Sequence, residues 1–441
     1  MKELTIQALL DTEWVDIAKL KILVPELGAS SQCELAYQLK YAIQHDDEVD
    51  EHACGLTLPV QILIQHESNN WFGFMGDIVP SGFARRAWVN FLGLQHASNA
   101  EVDIILLEKG AIAPVGNLRI KESLDFIKPT LDLQNFSIDD IVNLNTQILD
   151  HTLQKGLIRD GAIGVGGEAP KLLIRLTKEL QVCVDANQQS SDQTDLYYLI
   201  KFPRNNMSEI DCNILRAEFH FYHELNELGF KTIDTQHMKL IEGSKYPSLW
   251  LPRFDHEWRD QQWHRHGLES VYSILNKASG SHLNHFNVIN DLCNLLHKVD
   301  QNFNAAQFIC EWLQRDLLNI IFGNSDNHGR NTSLIKRFGQ ISLAPIYDFA
   351  PMKVDPERII RTTTWGSPYE EGGEYRWDLI TQALAPRCDP KQSMQALQSL
   401  AVQLSGLKTR LIQRGVPAQI MKRSELSFDF IEAKLERWGV L

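Results

Sequence analysis

The sequence predicts an α+β protein of two lobes, the second mainly helical, with a small unit ahead of them. Three observations carry this. At 441 residues the chain exceeds one ordinary core, so two or three domains are expected. Strand-like apolar runs gather between residues 172 and 255, whereas beyond residue 284 apolar residues recur at three- and four-residue steps. One polar stretch, Gly323 to Asp348, breaks into the helical half and collects Asp, Asn and His.

Composition narrows the class. A hydrophobic share of 44% with 22% charged residues is that of a folded soluble chain. A formal charge of −13 disfavours broad neutralisation of nucleic-acid phosphates, although a local basic face stays open. The seven cysteines are odd in number, widely spaced and without a C-x-x-C pair, which points away from a disulfide framework or a zinc site and towards a reducing cytoplasm. The first residues hold no signal-like apolar run, and no stretch approaches the length of a membrane span, so a cytoplasmic chain is expected.

In chain order, residues 1 to about 45 look helical, because Leu9, Leu10, Trp14, Ile17 and Leu20 can share one face. Gly28, followed by Ser30 and Ser31, outlines a helix-turn-helix, read either as a DNA contact or as a structural or partner-binding helical unit. The run His45–His52 (HDDEVDEH) has the residues of a metal site, but so dense a negative charge also makes a solvated loop or linker. Residues 56–66 read as strand. Arg85, Arg86 and Trp88 mark either a docking surface or an amphipathic helix.

Gly161, Gly164, Gly166 and Gly167 precede the strand-like run 172–176, where backbone N–H groups can approach phosphate oxygens and Lys171 adds a point charge. No GK[ST] follows, so this is not a Walker A loop. Residues 195–203 form a strand with Lys201 near its end. A helix follows, with Leu215, Phe219, Tyr222 and Leu225 on one face and Glu218 placed to pair with Lys201. Residues 247–255 read as a second strand leading to a hinge, and 256–266 as an exposed loop or helix start. Two helices over about 284–322 lead into the polar centre, a long irregular Gly/Pro/Thr-rich stretch runs from 352 to 375, and closing helices carry Leu397, Leu400, Leu404, Leu407 and Leu411.

The centre itself has Asp326 five residues before Asn331, then Asp348 beyond a strand-like stretch. One carboxylate suits a hydroxyl proton, while an amide oxygen and a second carboxylate suit a hard cation. Turn residues of these types also bond their own backbone. The order of parts decides between them: Gly-rich loop, strand lysine, helix glutamate, hinge strand, D-x-x-x-x-N loop and metal aspartate. That is the order used by two-lobed kinases.

From about Trp71 onward the chain resembles the HipA-type serine/threonine kinases, toxins of bacterial persistence modules. FGFMGDIVPSGFARR (72–86), GVGGEAPK (164–171), LIKFP (199–203), LPRFD (251–255), DNHGRN (326–331) and IYD (346–348) carry the resemblance. It implies a kinase-like fold divided as 1–70, a helical or winged-helix-like unit; 71–255, the first kinase lobe; and 256–441, the helical lobe. It implies ATP and Mg2+ as cofactors, and as substrate a protein Ser/Thr hydroxyl, such as that of a translation factor. Asp326 would be the general base, His328 part of the catalytic loop, and Asn331 and Asp348 the magnesium ligands. Lys201 would contact ATP phosphate. Gly164, Gly166, Gly167, Glu168, Ala169, Pro170 and Lys171 would cover the phosphates, and Pro252, Arg253 and Phe254 would lie against adenine. Glu218, Gly329, Arg330 and Tyr347 complete the nucleotide site.

The chain also departs from that pattern. Gly164 stands where the best-known members carry a phosphorylated loop serine, and Pro252 stands where an acidic residue is usual. An antitoxin partner is implied, with DNA contact through residues 1–70 or through the partner, and no membrane. The second reading is a catalytically weak nucleotide-binding regulator acting through the N-terminal unit.

Overall fold

The computed structural model describes residues 1–126, 135–143, 167–183 and 192–441. They form two compact units: Met1–Asn206 with Gln236–Ala278 and Ser333–Ala344, and Met207–Thr235 with Ser279–Thr332 and Pro345–Leu441. No described helix is long and apolar enough to cross a membrane.

The first unit starts with strands, not helices. Lys2–Leu10 and Glu13–Ile22 pair antiparallel across a two-residue turn at Asp11 and Thr12. The five-stranded sheet runs Gln65–Ser68, Cys33–Tyr37, Glu13–Ile22, Lys2–Leu10, Leu118–Ile120. This corrects the helical, helix-turn-helix expectation for residues 1–70. The physical reason is the period: Leu4, Ile6 and Ala8 alternate along one strand, and Ile17 is the extra residue of a bulge opposite Ile6 and Gln7. The Leu9–Trp14–Ile17–Leu20 spacing only imitates a helix face because it spans a turn and this bulge.

Nor do residues 1–70 stand apart. Leu4, Ile6, Ile17 and Leu20 share one core with Trp71, Phe74, Met75, Ile104 and Leu107, so the helices Gly73–Ile78 and Asn99–Gly110 pack on this sheet. Each such aliphatic side chain stabilises by roughly 1.5–3 kcal/mol on burial, so a boundary at residue 70 would cut through a core. Within 56–66 only Gln65 and His66 join the sheet. Trp88 is a fully buried core residue of the helix Gly82–Leu92, and Arg85 and Arg86 pair with Asp103 and Glu168.

A second sheet of six strands runs Lys239–Glu242, Pro247–Pro252, Leu196–Lys201, Lys171–Leu176, Val182–Cys183, Asn135–Phe136. Residues 256–266 are a hairpin, His256–Arg259 with Gln262–Arg265, rather than a loop or helix start. Asp260 and Gln261 both take positive φ (51° and 64°), the backbone of a tight two-residue turn.

The second unit is mainly helical: Glu209–Glu227, His285–Val299, Ala305–Phe322, Trp377–Ala383, Pro390–Leu404, Leu407–Arg414 and Ile431–Arg437. The helix Glu209–Glu227 belongs here, not to the strand-rich unit as the 71–255 boundary had it. Ser208 and Asp211 form its capping box. Its buried stripe uses Phe221 where Phe219 was expected, beside Leu215, Tyr222 and Leu225. The irregular stretch 352–375 contains a one-turn 3-10 helix, Met352–Val354, and a hairpin, Glu370–Glu371 with Glu374–Tyr375.

Candidate active site

Asp326, His328, Asn331 and Asp348 all belong to the helical unit, while residues 333–344 between them belong to the strand-rich unit. Asn304 caps the helix Ala305–Phe322 through Gln307 N, and Phe308, Ile309, Trp312, Leu313, Leu317 and Ile320 are buried as their spacing predicts. The helix ends at Gly323, whose left-handed backbone (φ 71°) a Cβ would oppose. Asn324 continues the cap: its N–H donates to Asn319 O at 2.8 Å and its Nδ2 to Asn319 Oδ1 at 2.9 Å. Its own Oδ1 accepts from Asp326 N at 3.3 Å. The helix end therefore delivers Asp326 in a fixed turn.

Asp326, His328 and Asn331 are half-buried, while the alternate residues Ser325, Asn327 and Gly329 are buried. Asn331 Nδ2 donates to Asp326 O at 2.7 Å, and only an NH2 can make that bond, so the amide oxygen is the end left to offer a cation. His328 Nδ1 accepts from Arg330 N at 3.3 Å, which leaves the ring proton on Nε2, 3.4 Å from Asp326 Oδ1. Tyr347 OH donates to Arg330 O at 2.6 Å, and Asn327 Nδ2 to Thr363 O at 3.1 Å, so both flanks of the loop are pinned. Asp348 is half-buried with φ 52°, uncommon for a residue with a Cβ. The segment just before it is held by Ile346 N to Lys231 O at 2.8 Å and Thr232 Oγ1 to Ile346 O at 2.9 Å. Glu218, buried on the helix Glu209–Glu227, accepts from Tyr222 OH at 2.8 Å.

The sequence did not point to a second network that supports this loop. Asp316, on the same helix, accepts from Arg361 Nη2 at 2.9 Å and from Trp365 Nε1 at 2.8 Å, with His285 Nε2 at 3.4 Å. Burial alone would raise its carboxyl pKa, but the charges of Arg361 and then His285 bring it well below the usual carboxylate range.

In the strand-rich unit Lys171 and Lys201 are both buried and sit directly opposite in register, on one face of the sheet. Gly164 and Gly166 lie outside the described residues. Gly167 takes φ 104°, and a Cβ there would meet Lys171 Nζ; its carbonyl accepts from Phe83 N at 2.9 Å. Glu168 pairs with Arg86 at 2.7 Å, and Pro170 O accepts from Phe202 N at 3.0 Å. Ala169 and Phe254 are half-buried. Pro252 pairs with Tyr198, and Arg253 N donates to Tyr197 O at 2.8 Å. The Arg253 guanidinium is committed within the unit: Nε donates to Asp255 Oδ1 at 2.9 Å and Nη2 to Oδ2. Burial would raise Asp255, but Arg253 and then His256 hold it well below the ordinary range.

The acidic run is partly built into the first unit. His45 and His52 stack with ring centroids 4.3 Å apart and planes at 18°. Their Nδ1 atoms converge on one carboxylate oxygen, each lying 2.9 Å from Glu48 Oε2. His52 Nδ1 also lies 2.8 Å from Asp50 Oδ1, so the rings are paired with carboxylates while His45, Glu48 and His52 keep their ligand-type atoms within 4.8 Å of one another.

Comparison with known proteins bears on these parts together. The family model described as HipA-like C-terminal domain matches residues 163–405. No curated protein matches in sequence. Among solved structures, HipA of the Shewanella oneidensis MR-1 toxin–antitoxin system, in a complex with HipB and its operator DNA, is similar over 99% of this chain and 97% of its own, with TM-score 0.65 and 14% identity. The Helicobacter pylori proinflammatory kinase CtkA aligns over 57% of this chain and 92% of its own, with TM-score 0.38 and 16% identity.

Proposed function

Because the chain belongs to the family of the HipA-like C-terminal domain, we propose that it is a protein serine/threonine kinase that passes the γ-phosphoryl of ATP to a protein hydroxyl. The observation that carries this reading is the Asp326–Asn331 loop. An acid is held in a turn, and five residues on an amide is tied by its NH2 with its oxygen left to ligate.

Asp326 accepts the proton of the incoming hydroxyl, with His328 Nε2–H steadying one carboxylate oxygen. The amide oxygen of Asn331 and the carboxylate of Asp348 form an all-oxygen donor set that fits Mg2+. When bound, the ion would neutralise charge on the phosphates. Lys171 and Lys201, side by side on one face of the sheet, would contact the ATP phosphates. Arg253 has spent its charge on Asp255, so the segment 252–254 would serve adenine through backbone and apolar surface. Positioning and electrostatics supply the acceleration in this scheme.

The test is transfer of label from radiolabelled ATP by the purified chain to cell extract. Asp326→Ala and Asp348→Ala should each lower it by at least about a hundred-fold. Equal labelling by both variants and the wild type would remove the mechanism.

The toxin-type role and the partner rest on the Shewanella relative, which was solved with HipB and operator DNA. For this chain a HipB-like antitoxin is the proposed partner, in a reducing cytoplasm that suits its seven free cysteines. DNA contact then falls to that partner, since residues 1–70 form sheet and the chain is acidic. The chain alone should leave promoter DNA unshifted in an electrophoretic assay at low salt; a shift would return DNA contact to the chain itself.

A further inference from the structure

Asp348 is held in a conformation that its own side chain disfavours, and something must hold it there. Two contacts converge on the next residue. Phe349 N donates to the Tyr222 hydroxyl at 3.3 Å, and the same hydroxyl donates to Glu218 Oε1 at 2.8 Å. The Phe349 ring lies edge-on to Phe322 at 5.3 Å and to Phe221 at 6.2 Å, and Phe221 meets Phe322 at 4.9 Å. Phe322 is the last residue of the helix that delivers the catalytic loop.

We infer that Tyr222 is a positioning residue for phosphoryl transfer: its hydroxyl ties the buried Glu218 to the backbone at Phe349 and so holds Asp348 in its metal-facing turn. This rests on the kinase reading of Asp348. The geometry is economical. Glu218 and Tyr222 are four residues apart on one helix and therefore share a face. The hydroxyl has one proton to give and a lone pair to accept with, and both are used. Tyr222 is fully buried, so water cannot replace either bond. Burial, then the charges of Glu218 and Asp348, holds the phenol pKa well above its ordinary value, so the hydroxyl keeps its proton across the physiological range. The aromatic trio sets the position of Phe349, and the hydroxyl sets its rotation about the backbone. A phenylalanine at position 222 would keep the packing and lose only the tie.

The experiment compares the full-length wild type with Tyr222→Phe. Amide exchange across residues 346–352 should be at least about ten-fold faster in the variant, the scale of one buried hydrogen bond. In label transfer, the Mg2+ concentration for half-maximal rate should rise about ten-fold, while the rate at saturating Mg2+ stays within about two-fold. A merely structural role would lower thermal stability without moving the Mg2+ midpoint, and that outcome overturns the inference. So does unchanged exchange in a folded variant. Should the variant not fold, the wild type alone decides: a Phe349 amide that exchanges as fast as an open loop amide ends the proposal. Should the wild type transfer no label, the kinase reading has failed on its own, and the exchange comparison still tests the tie.

Discussion

Two buried carboxylates, one in each unit, solve the same electrostatic problem for different ends. Asp255 in the strand-rich unit is bound by Arg253 and His256 and by the backbone N–H of Gly116 at 2.9 Å. Asp316 in the helical unit is bound by Arg361, His285 and Trp365. Each is charged because several donors together outweigh desolvation, and removing one partner leaves an ion in a dry site. What differs is what hangs on them. Asp255 closes the end of a strand onto a loop at Gly116. Asp316 holds the segment 361–365, and Thr363 in that segment receives the Asn327 side chain from the proposed catalytic loop. A buried ion pair is thus scaffolding in one unit and an indirect support of the proposed chemistry in the other.

The comparison can be broken by substitution. Asp316→Ala is expected to have the largest effect, a loss of about 3–5 kcal/mol of stability in denaturant melts together with a fall in the transfer rate of the fraction still folded. Asp255→Ala should cost a similar amount yet leave kcat nearly unaltered, with any change falling on KM for ATP. Equal kcat losses in the two variants would show that the distinction is false.

The smallest effect is a pH slope. Burial, then the Arg253 charge, lowers the His256 pKa to about 3. Between that value and the ordinary 6.5 the unfolded chain takes up a proton that the folded chain refuses, so stability falls as pH falls through this window. From pH 6.5 to 5 one such histidine contributes up to about 1.4 kcal/mol per pH unit. His256→Gln should flatten the measured slope by about 1 kcal/mol per unit, against a background to which His220, lowered to about 4, adds and His52, raised on balance by Asp50, subtracts. An unchanged slope would mean that His256 is protonated in the fold.

Legibility in the sequence followed chain distance. The loop of Asp326, His328 and Asn331 was readable because these residues are neighbours, and their hydrogen bonds run within six residues. The feeding helix was readable from its period. The N-terminal sheet was not, because a turn at Asp11 and a bulge at Ile17 shift an alternating pattern into a false helical one. The hairpin 256–266 was missed for a related reason: His and Trp in alternation look like an unordered polar stretch until His264 and Arg265 are seen to be buried.

The amino-acid order by itself determined the family, the oxygen-rich loop and the helices whose apolar residues recur at regular steps, since each depends on contacts a few residues long. Only the tertiary structure decided that the first strands and the helices after residue 71 share one core, that Arg253 spends its charge on Asp255, and that Tyr222 reaches the turn at Asp348. Those outcomes depend on which buried donor finds which acceptor, often across more than a hundred residues of chain, and local periodicity carries no record of such a choice.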